Sequence, residues 1–329
     1  MTIVLAKENV EEKVAMRDVY CQTLMELAEK DARIVALDAD LMNSMGMVPF
    51  QKKFPERTIN CGVQEANMIG VAAGLSATGK VPYAHSFATF ATRRCFDQVF
   101  MSAAYAKLNV RIVGSDPGVT ASFNGGTHMP FEDLGIMRNI PQMTVLEPTD
   151  STMIRDLVKQ LANAYGIFYL RLLRRNAVKI YEEGSSFEIG KAAQLRDGKD
   201  ASIIATGICV AESLKAAKIL ADKGISVRVL NMFTLKPIDR EAVVKAAVET
   251  GAIVTAENHN IINGLGSAVA EVLGENFPAP IERIGVQDLF GEVGPIEYLK
   301  QRFELTGADI AKKVERVISR KQYAETGAV

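Results

Sequence analysis

Glu65 is an acidic residue placed where it could take part in proton transfer. It lies in the segment Cys-Gly-Val-Gln-Glu-Ala-Asn-Met, where a predicted strand ends and a mostly apolar helix begins. One interpretation is structural, because a carboxylate in the first turn of a helix interacts favourably with the helix dipole. The other is a half-buried acid that exchanges a proton with a ligand nitrogen. The local sequence leaves both interpretations open.

Phe87, Phe90 and Arg93 follow one another at intervals of three residues. Residues three apart in a helix lie on the same side, so the two rings and the guanidinium would form one surface. Such aromatic stripes commonly pack in a core. Alternatively, the rings form a stacking pocket for a flat heterocycle, with Arg93 stacked or hydrogen-bonded at its rim.

The segment from Asp116 to Glu132 is rich in glycine, serine, asparagine and proline and has no regular period. Long loops of this kind in compact domains commonly carry function. Gly118, Gly125 and Gly126 allow the backbone to approach a ligand closely. His128 lies at the end of the loop, where it is either a surface residue or a ligand contact.

Three arginines, Arg171, Arg174 and Arg175, cluster at the end of another predicted strand. Arginine presents forked donors, so the cluster either holds an anion such as phosphate or is a solvated strand end. Arg17, on the first predicted helix, has a surface role by default. Near residues 257–259, a later Gly-Leu-Gly turn is only a weak signal for nucleotide binding.

The elements that must position these residues alternate between strand and helix almost throughout. The predicted strands are 33–37, 81–86, 110–114, 143–146, 167–172, 202–205, 227–232, 252–256 and 281–285. The predicted helices are 15–30, 64–75, 90–107, 151–164, 209–223, 239–250, 265–273, 296–303 and 308–320, with Asp239 as an N-cap. This alternation predicts an α/β fold of two doubly wound, mainly parallel-sheet domains.

A more polar stretch, residues 176–199, separates the two sets of elements. We therefore expect domains at 10–185 and 186–320, followed by a frayed tail at 321–329. Ligands of doubly wound sheets bind at the carboxyl ends of strands, where most of the candidate residues lie.

Composition excludes several other classes of protein. The chain has 329 residues, with 38 lysines and arginines against 39 aspartates and glutamates. This near-neutral balance, without a basic stripe, argues against a protein that binds nucleic acid or a membrane surface. No run of 18 apolar residues predicts a membrane span. The four cysteines have no zinc or redox-pair spacing and fit a reducing, cytoplasmic environment.

Several segments together resemble the second half of the transketolase family of thiamine diphosphate enzymes, over about residues 10 to 320. The most specific pieces are, in chain order, DADL (38–41), GVQEANM (62–68), SFATF (86–90) and GGTHMPFED (125–133). The resemblance implies that the first domain is a pyrimidine-binding domain and the second a transketolase C-terminal domain. It also implies transfer of a two-carbon ketol unit between sugar phosphates.

The resemblance implies roles for individual residues. Glu65 would bond the pyrimidine nitrogen of thiamine diphosphate, flanked by Phe87 and Phe90, with Arg93 beside them and Asp40 near the cofactor at a dimer interface. His128 would meet the reacting end of the ketose, and the sugar phosphate would be held by Arg17, Ser44 and Arg174. Asn124 departs from the family, which usually has an aspartate there for a substrate hydroxyl, so the donor sugar is open.

A larger departure is the lack of a Gly-Asp-Gly motif, with which the family holds the diphosphate and Mg²⁺. The chain would then hold only half of the cofactor site. Its initial methionine and its length favour a separately encoded subunit over an artificial fragment. We expect a heterotetramer in which two copies form a central homodimer and two diphosphate-binding chains are attached.

Two alternatives stay open beside the split transketolase. One is a subunit of a deoxyxylulose-phosphate-synthase-like or 2-oxoacid-dehydrogenase-like thiamine enzyme. The other is a non-catalytic, regulatory paralogue, against which the intact set of Glu65, Phe87, Phe90 and His128 argues.

Overall fold

The computed structural model of the chain describes residues 1–326, with side chains as far as Lys321. Its strands are β1 (Glu11–Ala15), β2 (Ile34–Asp38), β3 (Thr58–Asn60), β4 (Val81–Phe87), β5 (Val110–Ser115), β6 (Thr144–Leu146), β7 (Ile167–Leu172), β8 (Asn176–Val178), β9 (Ala193–Arg196), β10 (Ala201–Ala205), β11 (Val227–Asn231), β12 (Thr234–Lys236), β13 (Ile253–Asn260) and β14 (Ile281–Val286).

The helices are α1 (Met16–Ala28), α2 (Met42–Met45), α3 (Val48–Lys53), α4 (Glu65–Ala77), α5 (Ala88–Thr92), α6 (Phe96–Gln98), α7 (Asp133–Arg138), α8 (Ser151–Asn163), α9 (Cys209–Ala221), α10 (Arg240–Thr250), α11 (Leu265–Asn276), α12 (Ile296–Arg302) and α13 (Gly307–Thr326). Asp239 caps α10 as predicted, since its carboxylate accepts a hydrogen bond from the Ala242 amide at 3.0 Å. Within residues 1–326, no helix combines the length and the apolar character needed to cross a lipid bilayer.

Two large sheets organise the chain. The first has seven strands in the order β12-β6-β7-β5-β4-β2-β3, all parallel except β12. The second has five strands in the order β14-β13-β10-β11-β9, with β9 antiparallel. The prediction of two mainly parallel α/β domains is therefore confirmed. One strand crosses between them, because β12 comes from the second half of the chain and pairs at the edge of the first sheet.

The inner strands of the first sheet are mostly apolar because helices cover both of their faces. Every residue of β2, β4, β5 and β7 is buried. Their register aligns the carboxyl ends, pairing Asp38 with His85 and Phe87 with Ser115. This edge of the sheet is where the candidate residues meet.

The predicted continuous helix over 90–107 is wrong. The backbone instead passes from α5 through a 3₁₀ turn (Arg93–Cys95) and α6 into a π-helix (Val99–Tyr105). The hydroxyl of Thr92 donates to the Ala88 carbonyl at 2.6 Å, a local bond that commonly bends helices. The break changes which arginine faces the site.

Other differences involve short or terminal elements. The three-residue strands β8 and β12 are too short to show a period, and the sequence did not predict them. Strand β3, of the same length, is the strand that was expected before Glu65 without defined bounds. The last helix, α13, continues to Thr326, beyond the predicted end at 320. Residues 327–329 of the predicted tail lie outside the described residues. All four cysteines are unpaired.

His85 is a buried histidine in the core of the first sheet. It accepts a hydrogen bond from the Tyr20 hydroxyl at Nε2 (2.7 Å) and donates from Nδ1 to the Leu37 carbonyl (2.8 Å). Burial lowers its pKa from 6.5 to about 4. The folded chain therefore holds the neutral ring.

A pH dependence of stability follows from this histidine. As the pH falls from 6.5 to about 4, the unfolded chain takes up a proton at His85 that the folded chain does not. The free energy of unfolding should decrease over this window, by about 3 kcal/mol in full. Urea titrations across the window should show a weaker dependence for His85→Asn. Parallel curves for the two proteins would contradict the prediction.

Candidate active site

Glu65 is the first residue of α4 and is buried at the carboxyl edge of the first sheet. The Ser86 hydroxyl, at the end of β4, donates to its Oε1 at 2.8 Å. The Arg94 guanidinium donates to its Oε2 at 2.9 Å. Two polar groups therefore hold a carboxylate that is only 1% exposed, so it has a defined orientation and is more than a helix-dipole residue.

Three aromatic rings lie together beside this carboxylate. The centroids of Phe87 and Phe90 are 6.3 Å apart, and the ring of His128 meets both edge-on at 5.7 and 5.1 Å. Thr127 Oγ1 lies 2.9 Å from His128 Nδ1. The structure thus brings together Phe87, Phe90 and His128, which the sequence presents as two separate patterns, the aromatic stripe and the long loop.

Arg93 does not occupy the place that its spacing predicted. Because the helix breaks after Thr92, Arg93 points to Glu132 and forms an ion pair of 2.8 Å. The guanidinium that stacks on Phe90 belongs to Arg94, whose Cζ lies 3.8 Å from the ring centroid. Sequence reasoning missed Arg94 because a regular helix would have pointed it elsewhere. The doubled arginine was the only available signal.

The two arginines should differ in their effect on stability. Arg94→Ala leaves the buried Glu65 without one of its partners, and we expect a loss of about 1–3 kcal/mol. Arg93→Ala removes a pair of which both side chains are substantially exposed, so the loss should be below about 1 kcal/mol. Denaturant unfolding of both variants measures the difference. Equal losses would contradict the assignment of Arg94 to Glu65.

Two aspartates lie at the end of β2. Asp40 is exposed, has a left-handed backbone (φ 64°), and accepts a hydrogen bond from the Asn60 amide at 2.9 Å. Asp38 is buried and accepts a hydrogen bond from the Leu41 amide. Burial raises the pKa of Asp38 to about 6, and the nearby carboxylates of Asp40 and Glu65 contribute to the rise. The resemblance to the transketolase family implied a role for Asp40 but not for Asp38.

A cationic cluster surrounds Asp116, the residue after β5. Burial raises the pKa of this carboxyl, while the charges of Arg174, Arg175 and Arg17 oppose the rise. Arg174 is 3.9 Å from it, and Arg17 donates to the Ser44 carbonyl at 2.6 Å. Three of the predicted anion-binding residues, Arg17, Ser44 and Arg174, therefore lie near one another.

Arg171 is not part of that cluster, contrary to the expectation from the sequence. It is fully buried and forms ion pairs with Asp133 at 2.8 Å and with Glu147 at 2.7 Å. It also donates to the main-chain carbonyl of Asn258 at 2.9 Å. A buried arginine must have its charge compensated, and here two carboxylates do so.

The Gly-Leu-Gly turn does not offer a free helix terminus either. The carboxylate of Glu257 accepts hydrogen bonds from the amides of Leu265 (2.6 Å) and Gly266 (2.8 Å). These are the first amides of α11, where a phosphate would bind. The weak nucleotide signal is therefore explained by an internal cap.

Asn124 lies exposed on the long loop, four residues before His128. Its predicted role with the substrate stays a prediction.

Comparisons with known proteins match both halves of the chain to one family. The family "Transketolase, pyrimidine binding domain" matches residues 12–179, and "Transketolase, C-terminal domain" matches residues 190–310. The 6-deoxy-6-sulfo-D-fructose transketolase subunit SqwH of Clostridium sp. (strain MSTE9) is 56% identical over 94% of this chain and 96% of its own length. Human transketolase is 34% identical over 96% of this chain but only 51% of its own length. A solved structure of a split-gene transketolase, an inactive β4 tetramer, superposes with a TM-score of 0.88 and 44% identity, covering 94% of this chain and 99% of that one.

Proposed function

The chain belongs to the transketolase family, and we propose that it is the C-terminal subunit of a two-chain transketolase. In this proposal it transfers a two-carbon ketol unit from a ketose to an aldose together with a diphosphate-binding partner chain. The observation that carries the proposal is Glu65, buried and held by two polar groups beside the ring cluster of Phe87, Phe90 and His128. The high coverage of a relative that is itself named a subunit supports the two-chain form.

The residues present fit the pyrimidine end of thiamine diphosphate. A flat, nitrogen-containing ring needs apolar faces around it and a carboxylate at its ring nitrogen, and Phe87, Phe90 and Glu65 offer these at one place. Thiamine diphosphate, when bound, supplies the carbanion that carries the two-carbon unit. Glu65 would hold a proton at the ring nitrogen, and Ser86 would keep the carboxylate in position.

The remaining predicted residues have roles on the substrate side and at the subunit interface. His128, at the end of the loop, would contact the reacting end of the ketose, and Asn124 a hydroxyl further along. Asp40, exposed at the end of β2, would lie near the cofactor where two chains meet. The sequence has no Gly-Asp-Gly motif, so we propose that Mg²⁺ and the diphosphate are held by the partner chain.

The far end of the substrate would carry an anion. Arg17, Arg174 and Arg175 place three positive charges near the carboxyl group of Asp116. Arg17 also lies 3.6 Å from the exposed carboxylate of Asp18, so three positive charges face two acidic groups and the site stays net positive. Phosphate and sulfonate both suit such a site. Because a relative of 56% identity is named for 6-deoxy-6-sulfo-D-fructose, we propose this sulfonated ketose as the donor to be tested first.

The assembly would follow from the fact that this chain supplies only half of the proposed cofactor site. Two copies of this chain would form a central homodimer, with one diphosphate-binding chain attached to each, giving a heterotetramer. Without the partner, the chain would self-associate and be inactive. The similar split-gene transketolase structure, an inactive tetramer of β chains, supports this expectation.

Reconstitution tests the proposal. The chain is mixed with a diphosphate-domain partner, thiamine diphosphate and Mg²⁺, and ketol transfer to an aldose phosphate is assayed, with each chain alone as the control. The donors are 6-deoxy-6-sulfofructose, fructose 6-phosphate, xylulose 5-phosphate and pyruvate. Transfer from a ketose only in the mixture supports the proposal. Turnover of pyruvate but of no ketose would favour another thiamine enzyme subunit. A stable complex without any turnover would favour the regulatory paralogue.

A further inference from the structure

The long loop begins with an unusual backbone. Asp116, Gly118 and Ser122 all have left-handed φ values, of 57°, 50° and 52°. Ser122 combines its φ with a ψ of −118°, which a residue with a Cβ atom rarely adopts. Such conformations persist only where the surrounding structure over-determines them. Something must therefore hold this part of the loop in place.

One holding group is Asn258, a fully buried residue of β13 in the second domain. Its Oδ1 accepts a hydrogen bond from the Val119 amide and its Nδ2 donates to the Pro117 carbonyl, both at 2.9 Å. The side-chain amide thus bonds to the backbone on both sides of Gly118. A Cβ atom on Gly118 would overlap the Asn258 amide, so this close approach requires glycine.

A second contact holds the other end of the turn. The Ser122 hydroxyl donates to the Gly294 carbonyl at 2.9 Å, and it is the same residue that has the strained backbone. Nearby, Gly126 lies against the Gly291 carbonyl so closely that a Cβ atom there would overlap it. The segment 291–294 belongs to the second domain, as Asn258 does.

We propose that Asn258, together with the Ser122–Gly294 hydrogen bond, is a positioning device through which the second domain sets the conformation of the substrate loop. The predicted site residues all come from the first domain. The second domain then acts on the reaction by holding the strained turn from which Asn124 and His128 extend. The effect on the loop stands on the contacts alone, whereas the effect on the substrate rests on the proposed function.

Hydrogen exchange of the whole chain tests the loop without any cofactor or partner. Asn258→Ala removes both bonds, and we expect the amides of residues 118–124 to exchange about tenfold to a hundredfold faster. Asn231→Ala is the matched control. Asn231 is an equally buried asparagine of the second domain, and its amide donates at 2.8 Å to the first-domain Thr149 hydroxyl and to the Tyr181 hydroxyl. This control should leave loop exchange unchanged.

Unchanged exchange of residues 118–124 in Asn258→Ala, or an equal increase in Asn231→Ala, would overturn the proposal. If Asn258→Ala does not fold, Ser122→Ala decides instead, because it removes only the bond to Gly294. Faster loop exchange in Ser122→Ala supports the proposal, and unchanged exchange overturns it.

Kinetics of the reconstituted enzyme then separate positioning from a purely structural role. Asn258→Ala should raise the KM for the ketose donor by about tenfold or more, with a smaller change in kcat. A variant that is only destabilised would contain less active enzyme and would leave KM unchanged. That result would overturn the proposed effect of Asn258 on the substrate. Absence of activity in the unsubstituted complex would refute the proposed function, while the exchange result would still stand.

Discussion

Replacement of Glu65 with glutamine is expected to lower the kcat of the two-chain enzyme by about 10²- to 10⁴-fold, the usual contribution of a positioned proton-transfer group. Glutamine keeps the shape of the side chain and can still accept the hydrogen bond from Ser86. It cannot hold a proton at a ring nitrogen as a carboxyl group does, nor can it pair with the charge of Arg94. The loss should therefore appear in turnover, measured by ketol transfer in the reconstituted complex.

Glu132→Gln is the matched control for this experiment. Glu132 is a carboxylate near the same loop that pairs with Arg93 instead of Arg94, and this exposed pair should matter little. Both variants should still bind the partner chain, as size-exclusion chromatography would show. Full activity of Glu65→Gln would remove the basis of the proposed function, whatever the control does.

Replacement of Arg171 with methionine is expected to cost about 3–5 kcal/mol of stability. The substitution leaves Asp133 and Glu147 buried without the charge that compensates them. Burial already raises the pKa of Glu147 even with Arg171 present. Loss of the arginine also removes the donor to the Asn258 carbonyl, which links the two domains. Chemical denaturation of the whole chain measures the change.

Arg228→Met provides the comparison. Arg228 also pairs with two carboxylates, Asp197 at 2.9 Å and Glu249 at 2.6 Å, but both partners are substantially exposed. Those carboxylates regain water when the arginine is removed, so the loss should stay near or below about 1 kcal/mol. Similar losses in the two variants would show that the buried network does not carry the stability assigned to it.

The fold could be predicted from the sequence where a single local signal determined it. Strands such as β2 and β5 are mostly apolar because both faces of the sheet are covered, and this composition is visible in the sequence. The three-residue strand β12 carries no such signal, since its place depends on pairing with β6, which lies far earlier in the chain. Non-local pairing of this kind is invisible to periodicity.

The site shows the same division. Glu65, Phe87, Phe90 and His128 could be predicted to lie near one another because each follows a predicted strand, and the carboxyl ends of parallel strands meet. Arg94 was missed because it depends on a helix break. Arg171 was placed in the wrong cluster although a signal existed, since it lies inside a strand with apolar residues on both sides and must be buried and paired.

The crossing strand β12 has a consequence for how the chain is made. Until residue 236 has left the ribosome, β6 is an open edge, with main-chain groups free to pair with any neighbouring strand. Synthesis adds about 5–20 residues per second, so this edge stays uncovered for several seconds after β7 is complete. A gene truncated between the two domains would make the exposure permanent, and its product would be prone to aggregation. The first domain is thus a continuous stretch of sequence, but its sheet is completed only after a segment of the second domain has been synthesised.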